Sequence, residues 1–185
     1  MCDLGAQDDF FLFCQANKGW HIERTPQGRV IIQPPKGCLS SCHCLELIAQ
    51  LHPWTQCNAT GRSVSHTGFD LPNGAMRSPD VAWISKSRLA ALTTEQKKKF
   101  LPLAPDFAAE LRSETDSLSL LQDKMAEYIA CGVRLALLID PTTHRVHVYR
   151  PNTEPQVLEN PTTVDCSPEL PGFILDTQPL FANEL

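Results

Sequence analysis

The fold class follows from one stretch, residues 105–141, which reads PDFAAELRSETDSLSLLQDKMAEYIACGVRLALLIDP. Residues 106–112 form a mostly apolar run with the length of a buried central strand. A helix should follow, because Asp116 or Ser117 can cap its start and Gly132 can end it. The last part of the stretch is a second apolar run. A strand, a helix and a strand in succession make a crossover unit with parallel pairing, so a mixed α/β fold is predicted.

The sequence on both sides of this stretch alternates short helices and strands. Helices are predicted over residues 8–17, from Ser40 or Ser41 to Pro53, and over 86–100, and strands are predicted in a hairpin over 20–35 and over 62–69, 76–84 and 145–149. No internal repeat or low-complexity linker divides the chain. Residues 1–185 are therefore expected to form one domain.

The composition is that of an ordinary globular protein, with 42% hydrophobic and 20% charged residues. A net charge of −5 argues against binding nucleic acid through a broad basic surface, although it leaves room for a local basic cleft. No apolar run approaches the roughly 18 residues that cross a bilayer. The N-terminus lacks the basic and apolar regions of a signal peptide. A cytoplasmic protein that does not contact membranes is expected.

Eight cysteines occur in the chain, and without an export signal we expect reduced thiols rather than a disulfide framework. A cluster formed by Cys38, Cys42, His43, Cys44 and Cys57 raises the alternative of a zinc-binding module. The interval from Cys38 to Cys42 fits a first ligand pair, but no second pair follows it, so zinc is not expected there. The other histidines show no ligand spacing. The three tryptophans are expected in the core.

Three charged residues interrupt apolar patterns where packing alone does not require a charge. Asp80 precedes the apolar strand at residues 81–84, and Glu110 lies within the predicted buried strand. Lys124 lies on the edge of the helix face that turns toward the sheet. Charges in such places are costly unless they are paired or bind a metal. A buried ion pair between Glu110 and Lys124 is the alternative to a metal site.

Two carboxylates on adjacent strands suit Mg²⁺ or Mn²⁺, because these ions prefer oxygen ligands. Such an ion polarises a phosphoryl oxygen and helps to generate a hydroxide nucleophile. A nearby ammonium stabilises the charge that gathers on the phosphate in the transition state. Asp80, Glu110 and Lys124 are therefore the parts that phosphodiester hydrolysis needs, with the two acids as metal ligands and the lysine as the charge-stabilising residue. On spacing alone, however, the buried ion pair between Glu110 and Lys124 is the favoured interpretation.

A resemblance to a known family rests on three ordered runs, GFDLPNGAMRSPDVAWIS, PLAPDFAAELRSETDSLSLLQDKMAEYIACGVRLALLIDP and VHVYRP. The flanking IERTPQGRVIIQPP and the tail VLENPTTVDCSPELPGFILDTQPLF are similar too, so the likeness covers nearly the whole chain. These segments resemble the Uma family, classed as restriction endonucleases of the PD-(D/E)XK nuclease superfamily and common in cyanobacteria. The resemblance implies a restriction-endonuclease-like fold, with a central mixed β-sheet flanked by helices. An N-terminal helix and a β-hairpin precede that core here.

The family's motif residues can be carried over by position. Its Pro-Asp pair matches Pro79 and Asp80, its strand glutamate matches Glu110, and its lysine falls at Lys124. The usual superfamily lysine, two residues after the glutamate, is Arg112 here. An arginine does not deprotonate and cannot act as a base, but it can contact phosphate.

Two departures from the family pattern bear on the metal site. Arg29 follows the hairpin glycine, where the family commonly has an acidic residue. The segment at residues 37–44 replaces one that is usually polar and rich in Gly and Asn. Glu46 on the second helix could supply the acid instead, and Glu23 in the hairpin is a less favoured candidate.

These observations predict a Mg²⁺- or Mn²⁺-dependent endonuclease acting on DNA, with five candidate catalytic residues: Asp80, Glu110, Lys124, Arg112 and Glu46. A homodimer or higher homo-oligomer would suit cleavage of two strands. The alternative is a catalytically inactive relative that acts as a DNA-associated or oligomeric structural protein. The acidic pI and Arg29 favour that alternative, whereas the intact acids and lysine favour the enzyme.

Overall fold

The structure of the chain, a computed structural model, describes residues 7–182. Its helices are α1 (Gln7–Ala16), α2 (Cys38–Asn58), α3 (Lys86–Ala90), α4 (Leu118–Ala130) and α5 (Gln178–Phe181). Its strands are β1 (His21–Arg24), β2 (Val30–Gln33), β3 (Gly61–Ser65), β4 (Phe69–Asp70), β5 (Met76–Arg77), β6 (Val81–Ser85), β7 (Phe107–Leu111), β8 (Leu135–Asp140), β9 (Arg145–Tyr149), β10 (Gln156–Glu159), β11 (Thr163–Asp165) and β12 (Ile174–Asp176). Within residues 7–182, none of the helices has the length and apolar character needed to cross a membrane.

A six-stranded sheet with the order β10-β9-β8-β7-β6-β3 forms the centre of the fold. β7 and β8 pair in parallel, and the other neighbouring strands of this sheet pair antiparallel. α4 connects β7 to β8 and packs against β8, as a crossover between parallel strands requires. The mixed α/β fold is therefore confirmed in the stretch from which it was inferred.

Side-chain alternation in β7 and β8 divides the core between the two faces of the central sheet. On one face, odd-numbered residues of these strands pack with α2 in a cluster that includes Leu47, Leu51, Phe107, Ala109, Leu135, Leu137 and Ile139. On the other face, even-numbered residues pack with α4 in a cluster that includes Ala108, Met125, Tyr128, Ala136 and Leu138. Because Glu110 occupies an even position of β7, its side chain turns toward α4.

A smaller four-stranded sheet has the order β2-β1-β5-β4. It contains the predicted β-hairpin, and the predicted N-terminal helix, α1, packs on it through Phe10, Ile22 and Met76. The chain leaves β5 at Arg77 and enters β6 at Val81, so this small sheet adjoins the start of β6. That position is what brings the hairpin to the candidate site.

α2 is longer than predicted at both ends. It begins at Cys38, so the serines predicted as caps lie within its first turn, and it continues through Pro53 to Asn58. A proline inside a helix costs about 3 kcal/mol. That cost is offset here because Leu51 and Thr55, on either side of the proline, are fully buried.

The segment predicted as one helix over residues 86–100 forms only α3 and a short 3₁₀ turn. The backbone N–H of Thr93 donates to the side-chain oxygen of Gln96, and the N–H of Gln96 donates to the Thr93 hydroxyl. This reciprocal capping box starts a new turn instead of continuing the old one. The prediction of one long helix was therefore wrong.

Gly61 occupies a position that has no room for a side chain. A Cβ there would lie 2.3 Å from the carbonyl oxygen of Ile84 and 2.5 Å from the ring of Trp83. We expect Gly61→Ala to lower the free energy of unfolding by about 1–3 kcal/mol, because β3 and β6 must move apart to admit the methyl group. Unfolding in denaturant measures the change.

Gly37→Ala is the matched control for this prediction. A Cβ at Gly37 meets nothing within 4 Å, and its φ of −65° suits any residue. Its effect on the free energy of unfolding should stay within about 1 kcal/mol. Equal losses in the two variants would contradict the steric explanation.

Candidate active site

Asp80 lies immediately before β6, where β6 and β7 separate. Their antiparallel register pairs Val81 with Ala109, so one further step sets Asp80 opposite Glu110. The backbone N–H of Leu111 donates to Asp80 Oδ2 at 2.9 Å. The Asp80 side chain thus accepts a β7 hydrogen bond just beyond the last backbone pair of β6 and β7. Only 5% of the Asp80 side chain is exposed. The two predicted metal ligands therefore lie on adjacent strands at the same end of the sheet.

Glu110 receives two side chains from α4. Lys124 Nζ lies 2.7 Å from Glu110 Oε1, and Tyr128, one helical turn later, donates its hydroxyl to the same oxygen at 2.9 Å. Only 9% of the Lys124 side chain is exposed, so its predicted position on the sheet-facing side of the helix is confirmed. The ion pair considered as the alternative is present. Among residues 7–182, the ion pair and the Tyr128 hydrogen bond both use Oε1 of Glu110.

Glu23 of β1 is the second partner of Lys124, with its Oε1 2.8 Å from Nζ. The same carboxylate accepts the backbone N–H of Ser78 at 2.8 Å and Arg77 Nη1 at 3.1 Å. It is almost fully buried, with 2% of the side chain exposed. The acid that ranked lowest in the sequence interpretation is thus the one that the fold brings to the lysine.

Two further cations complete the network. Arg77 Nε bonds Glu127 Oε2 at 2.6 Å, and Lys36 Nζ lies 2.5 Å from Asp80 Oδ1. The ionic groups around the site are four carboxylates (Glu23, Asp80, Glu110 and Glu127) and three cations (Lys36, Arg77 and Lys124). Lys36 and Asp80 form a separate pair, and ion pairs connect the other five groups. If every group is charged, one negative charge remains without a counter-charge.

The pKa values show where that excess falls. Burial disfavours the charged form of both Glu23 and Glu110. For Glu23, the pull of Lys124, a contact with His21 and the charge of Arg77 outweigh burial, and its pKa lies well below the usual range. For Glu110, burial outweighs the attraction of Lys124, Asp80 and Glu23 add repulsion, and the pKa rises to about 7. Glu110 is the carboxylate that needs a further cation or a proton.

Lys36, Asp80 and Glu110 border a cleft with a volume of about 950 Å³. Its lining includes Lys18, Trp20, His21, Lys36, His66, Asp80, Glu110, Glu114 and Asp116. Lys124 lies behind Glu110 and is not part of the lining. Trp20 is 56% exposed, so the expectation that it packs in the core was wrong.

Arg112 and Glu46, the other two candidate residues, do not line this cleft. Arg112 lies just beyond β7 and binds Asp140 with an N–O distance of 2.8 Å, so its guanidinium is engaged at the end of β8. Glu46 is exposed because the helical phase of α2 buries Cys44 and Leu47 instead. The structure brings neither residue to the carboxylate cluster.

Arg29, the departure from the family pattern, lies exposed in the β1–β2 turn, where its carbonyl accepts the N–H of Thr25. The cleft is lined by the opposite end of the hairpin, including His21 and Gln33. An acidic residue at position 29 would lie away from the cleft, so Arg29 does not replace an acid that would line it. The acid of the hairpin that reaches the ionic groups is Glu23, which contacts Lys124.

Three residues at the site were missed by sequence reasoning. Tyr128 carried a usable signal, since it follows Lys124 by one helical turn on the same face. Lys36 follows two prolines in a loop, and His66 follows β3, and neither position has a local pattern that indicates a site. Only the folded chain brings both of them to Asp80.

A family model described as "Uma2: Putative restriction endonuclease" matches residues 7–178. The chain belongs to the Uma2 family. This Uma2 chain is similar in structure to a "putative nuclease belonging to DUF820 from Anabaena variabilis ATCC 29413", with a TM-score of 0.74 and 21% sequence identity over 86% of this chain and 89% of that one. That likeness confirms the restriction-endonuclease-like fold.

A second solved structure, the "DrdV-DNA complex", has a TM-score of 0.39 and 15% identity to the Uma2 chain, over 66% of this chain and 12% of that one. Among curated proteins, none matches the chain.

The two glutamates bound to Lys124 should differ in their effect on the stability of this Uma2 protein. We expect Glu23→Gln to lower the free energy of unfolding by about 3–5 kcal/mol, because it removes the ionised partner of two buried cations. Glu110→Gln should cost less than about 1 kcal/mol, since an amide resembles the protonated acid and Lys124 keeps Glu23. Denaturant unfolding with a metal chelator at about pH 7 compares them, and a larger loss in Glu110→Gln would refute the assignment of charge.

The raised pKa of Glu110 makes stability depend on pH. Between the ordinary value of 4.5 and about 7, the folded protein holds a proton on Glu110 that the unfolded chain has lost. The contribution of Glu110 to stability therefore falls as pH rises through this window. The free energy of unfolding of the wild type minus that of Glu110→Gln should decline from about pH 5 to about pH 8 in metal-free buffer. A flat or rising difference would contradict the raised pKa.

Proposed function

We propose that this Uma2 protein is an endonuclease that hydrolyses phosphodiester bonds of DNA with the help of Mg²⁺ or Mn²⁺. The observation that carries the proposal is the β6–β7 register, which sets Asp80 opposite Glu110 beside one cleft. Membership of a family described as restriction endonucleases supports nuclease chemistry at this position.

The residues present fit a divalent cation. Asp80 and Glu110 offer oxygen ligands, the kind that Mg²⁺ and Mn²⁺ prefer. Within residues 7–182, the hydrogen bonds and ion pair of Glu110 all use Oε1, so Oε2 is available. The ionic network also carries one excess negative charge, which a cation would balance. Asp80 is held by Lys36, whose ammonium must move aside for an ion to bind Oδ1.

A divalent cation bound here would supply Lewis-acid polarisation of the phosphate and of the attacking water. The protein's own contribution is to hold the ligands rigidly. Lys124 and Tyr128 fix Glu110 through Oε1, and the N–H of Leu111 fixes Asp80 through Oδ2. Ligands held in advance by such contacts need little reorganisation during the reaction.

The cleft offers cations for the phosphates of DNA. Lys18 is exposed, and 31% of the Lys36 side chain is exposed beside Asp80. Both can bind a phosphate without a broad basic surface, which fits a chain with a net charge of −5. The acids Glu114 and Asp116 also line the cleft, and Asp116 is engaged by Ser113. DNA is therefore expected to bind along the lysine side of the opening.

The decisive change is Glu110→Gln. The substitution removes the negative charge of a proposed metal ligand but keeps the side-chain volume. The fold should therefore survive, whereas Mg²⁺- or Mn²⁺-dependent cleavage should fall at least about 100-fold. Substitutions that touch only the residues around metal ligands already cost about 10–100-fold. The assay follows cleavage of single-stranded, double-stranded and branched DNA with each ion and with chelator, and the oligomeric state of the active species is measured alongside.

Glu46→Gln is the matched control, because Glu46 is exposed on α2 and does not line the cleft. Its cleavage rate should equal that of the wild type. Cleavage that survives in Glu110→Gln would refute the site. A wild type that cuts none of these substrates with either ion, yet binds DNA or self-associates, would establish the inactive relative instead.

A further inference from the structure

A second set of metal-binding side chains shares Asp80 but not Glu110. Cys44 of α2, His66 after β3 and Asp80 place one ligand atom each within 4.8 Å of one another. Cys44 and Asp80 are buried, whereas His66 is exposed and lines the cleft. The three residues come from separate segments of the chain, so no sequence spacing indicated the group.

The backbone holds His66 beside Asp80. Its φ of 50° is in the left-handed region, which non-glycine residues adopt infrequently. Its backbone N–H donates to the carbonyl of Pro79 at 3.2 Å, and its Nε2 lies 3.8 Å from Asp80 Oδ1. Zinc bonds of about 2.0–2.3 Å place tetrahedral ligand atoms roughly 3.3–3.8 Å apart. The existing separation is already close to that of two ligands on one ion.

The donor set is a sulfur, a nitrogen and an oxygen. Zn²⁺ takes these three donors from Cys, His and Asp, and keeps a fourth position for water or substrate in sites with three protein ligands. Mg²⁺ binds oxygen ligands and has little affinity for a thiolate. This set therefore selects a different class of ion from the pair Asp80 and Glu110.

We propose that Cys44, His66 and Asp80 form a binding site for Zn²⁺ or a similar thiophilic divalent ion. Because Asp80 belongs to both sets, this ion and Mg²⁺ or Mn²⁺ exclude each other from the carboxylate. Binding of the ion depends only on Cys44, His66 and Asp80. Its competition with Mg²⁺ or Mn²⁺ for Asp80 depends, in addition, on the proposed function.

Lys36 marks the position that the ion would take. Its ammonium lies 2.5 Å from Asp80 Oδ1, the same oxygen that faces His66. It neutralises the buried carboxylate when no ion is bound. Its side chain is 31% exposed, so the ammonium can turn into water when a divalent ion replaces it. One cation is then exchanged for another, and Asp80 is never left without a counter-charge.

The Cys44 thiol adds selectivity. Its side chain is buried, and an ion must displace the thiol proton to bind the sulfur. A thiophilic ion gains enough from the sulfur bond to do so, whereas Mg²⁺ does not.

Nearby cysteines and one histidine are the rival ligands. Cys38 and Cys42 are neighbours at the start of α2, and Cys57 is exposed near its end. His43 is buried and its Nε2 lies 2.8 Å from the carbonyl of Ala182, so its ring is already engaged. Substitution of Cys38 or Cys57 tests whether the metal ion binds to thiols at either end of α2 instead.

Cobalt binding to the full chain tests the proposal. Reduced protein freed of metal is titrated with Co²⁺ under anaerobic conditions, and the near-ultraviolet absorption from cobalt–thiolate charge transfer is recorded. We expect this absorption to saturate at one equivalent of Co²⁺. Zn²⁺ should remove it at stoichiometric concentration, whereas Mg²⁺ should remove it only at a large excess.

Four single substitutions assign the ligands. Cys44→Ser should abolish the charge-transfer absorption, and His66→Ala should weaken Co²⁺ binding by at least about tenfold, since changes outside the ligand shell already cost that much. Cys38→Ser and Cys57→Ser should bind Co²⁺ like the wild type. Because His66 is exposed, its substitution leaves the core intact even if Cys44→Ser fails to fold.

Three results would overturn the proposal. The first two are no thiolate absorption in the wild type, and absorption in which Co²⁺ binding by His66→Ala matches the wild type. Absorption lost with Cys38→Ser would assign the site to the start of α2 and would equally refute it. Each of these results leaves the DNA cleavage assay unaffected, so failure of the zinc site and failure of the nuclease are distinguishable.

Discussion

The ammonium of Lys124, held between the carboxylates of Glu23 and Glu110, is the contact on which the site depends. Its three groups come from β1, β7 and α4, and they therefore join the small sheet, the central sheet and the crossover helix. All three are buried, so Lys124 depends on the ionised carboxylate of Glu23 in particular. The same contact that ties these elements together also orients the carboxylate that faces the cleft.

Charge balance gives this cluster its chemical character. A fully satisfied set of ion pairs would be stable but would have no use for a further cation. Here the cations are one fewer than the carboxylates, and the excess falls on Glu110 because Glu23 has the stronger partners. Burial and like charge raise the pKa of Glu110 to about 7, a kind of shift that is frequent at functional sites. The ion pair and the proposed metal site would thus share one cluster, although sequence reasoning set them as alternatives.

The parts that sequence reasoning predicted well are those that local patterns determine. The apolar runs on either side of a capped helix predicted β7, α4, β8 and their parallel pairing, and interruptions in those runs singled out Glu110 and Lys124. Residues placed by long-range docking were harder to predict. Glu23 lies in a four-residue strand whose pattern does not reveal which helix it will meet.

Exposed side chains on well-predicted elements also misled the sequence interpretation. Glu46 lies on a real helix but on the face turned away from the cleft, and Arg112 is engaged by Asp140 at the neighbouring strand end. Pro53 was predicted to end a helix, but α2 continues beyond it because Leu51 and Thr55 are buried.

The span between Glu23 and Lys124, 101 residues along the chain, has a consequence for the order of assembly. The crossover unit closes over a short distance and can form early, whereas the hairpin, which is synthesised before α4, must wait for that helix before it docks. We therefore expect the acidic centre to be among the last parts of the domain to become native, and a nascent chain to lack this centre until α4 has emerged.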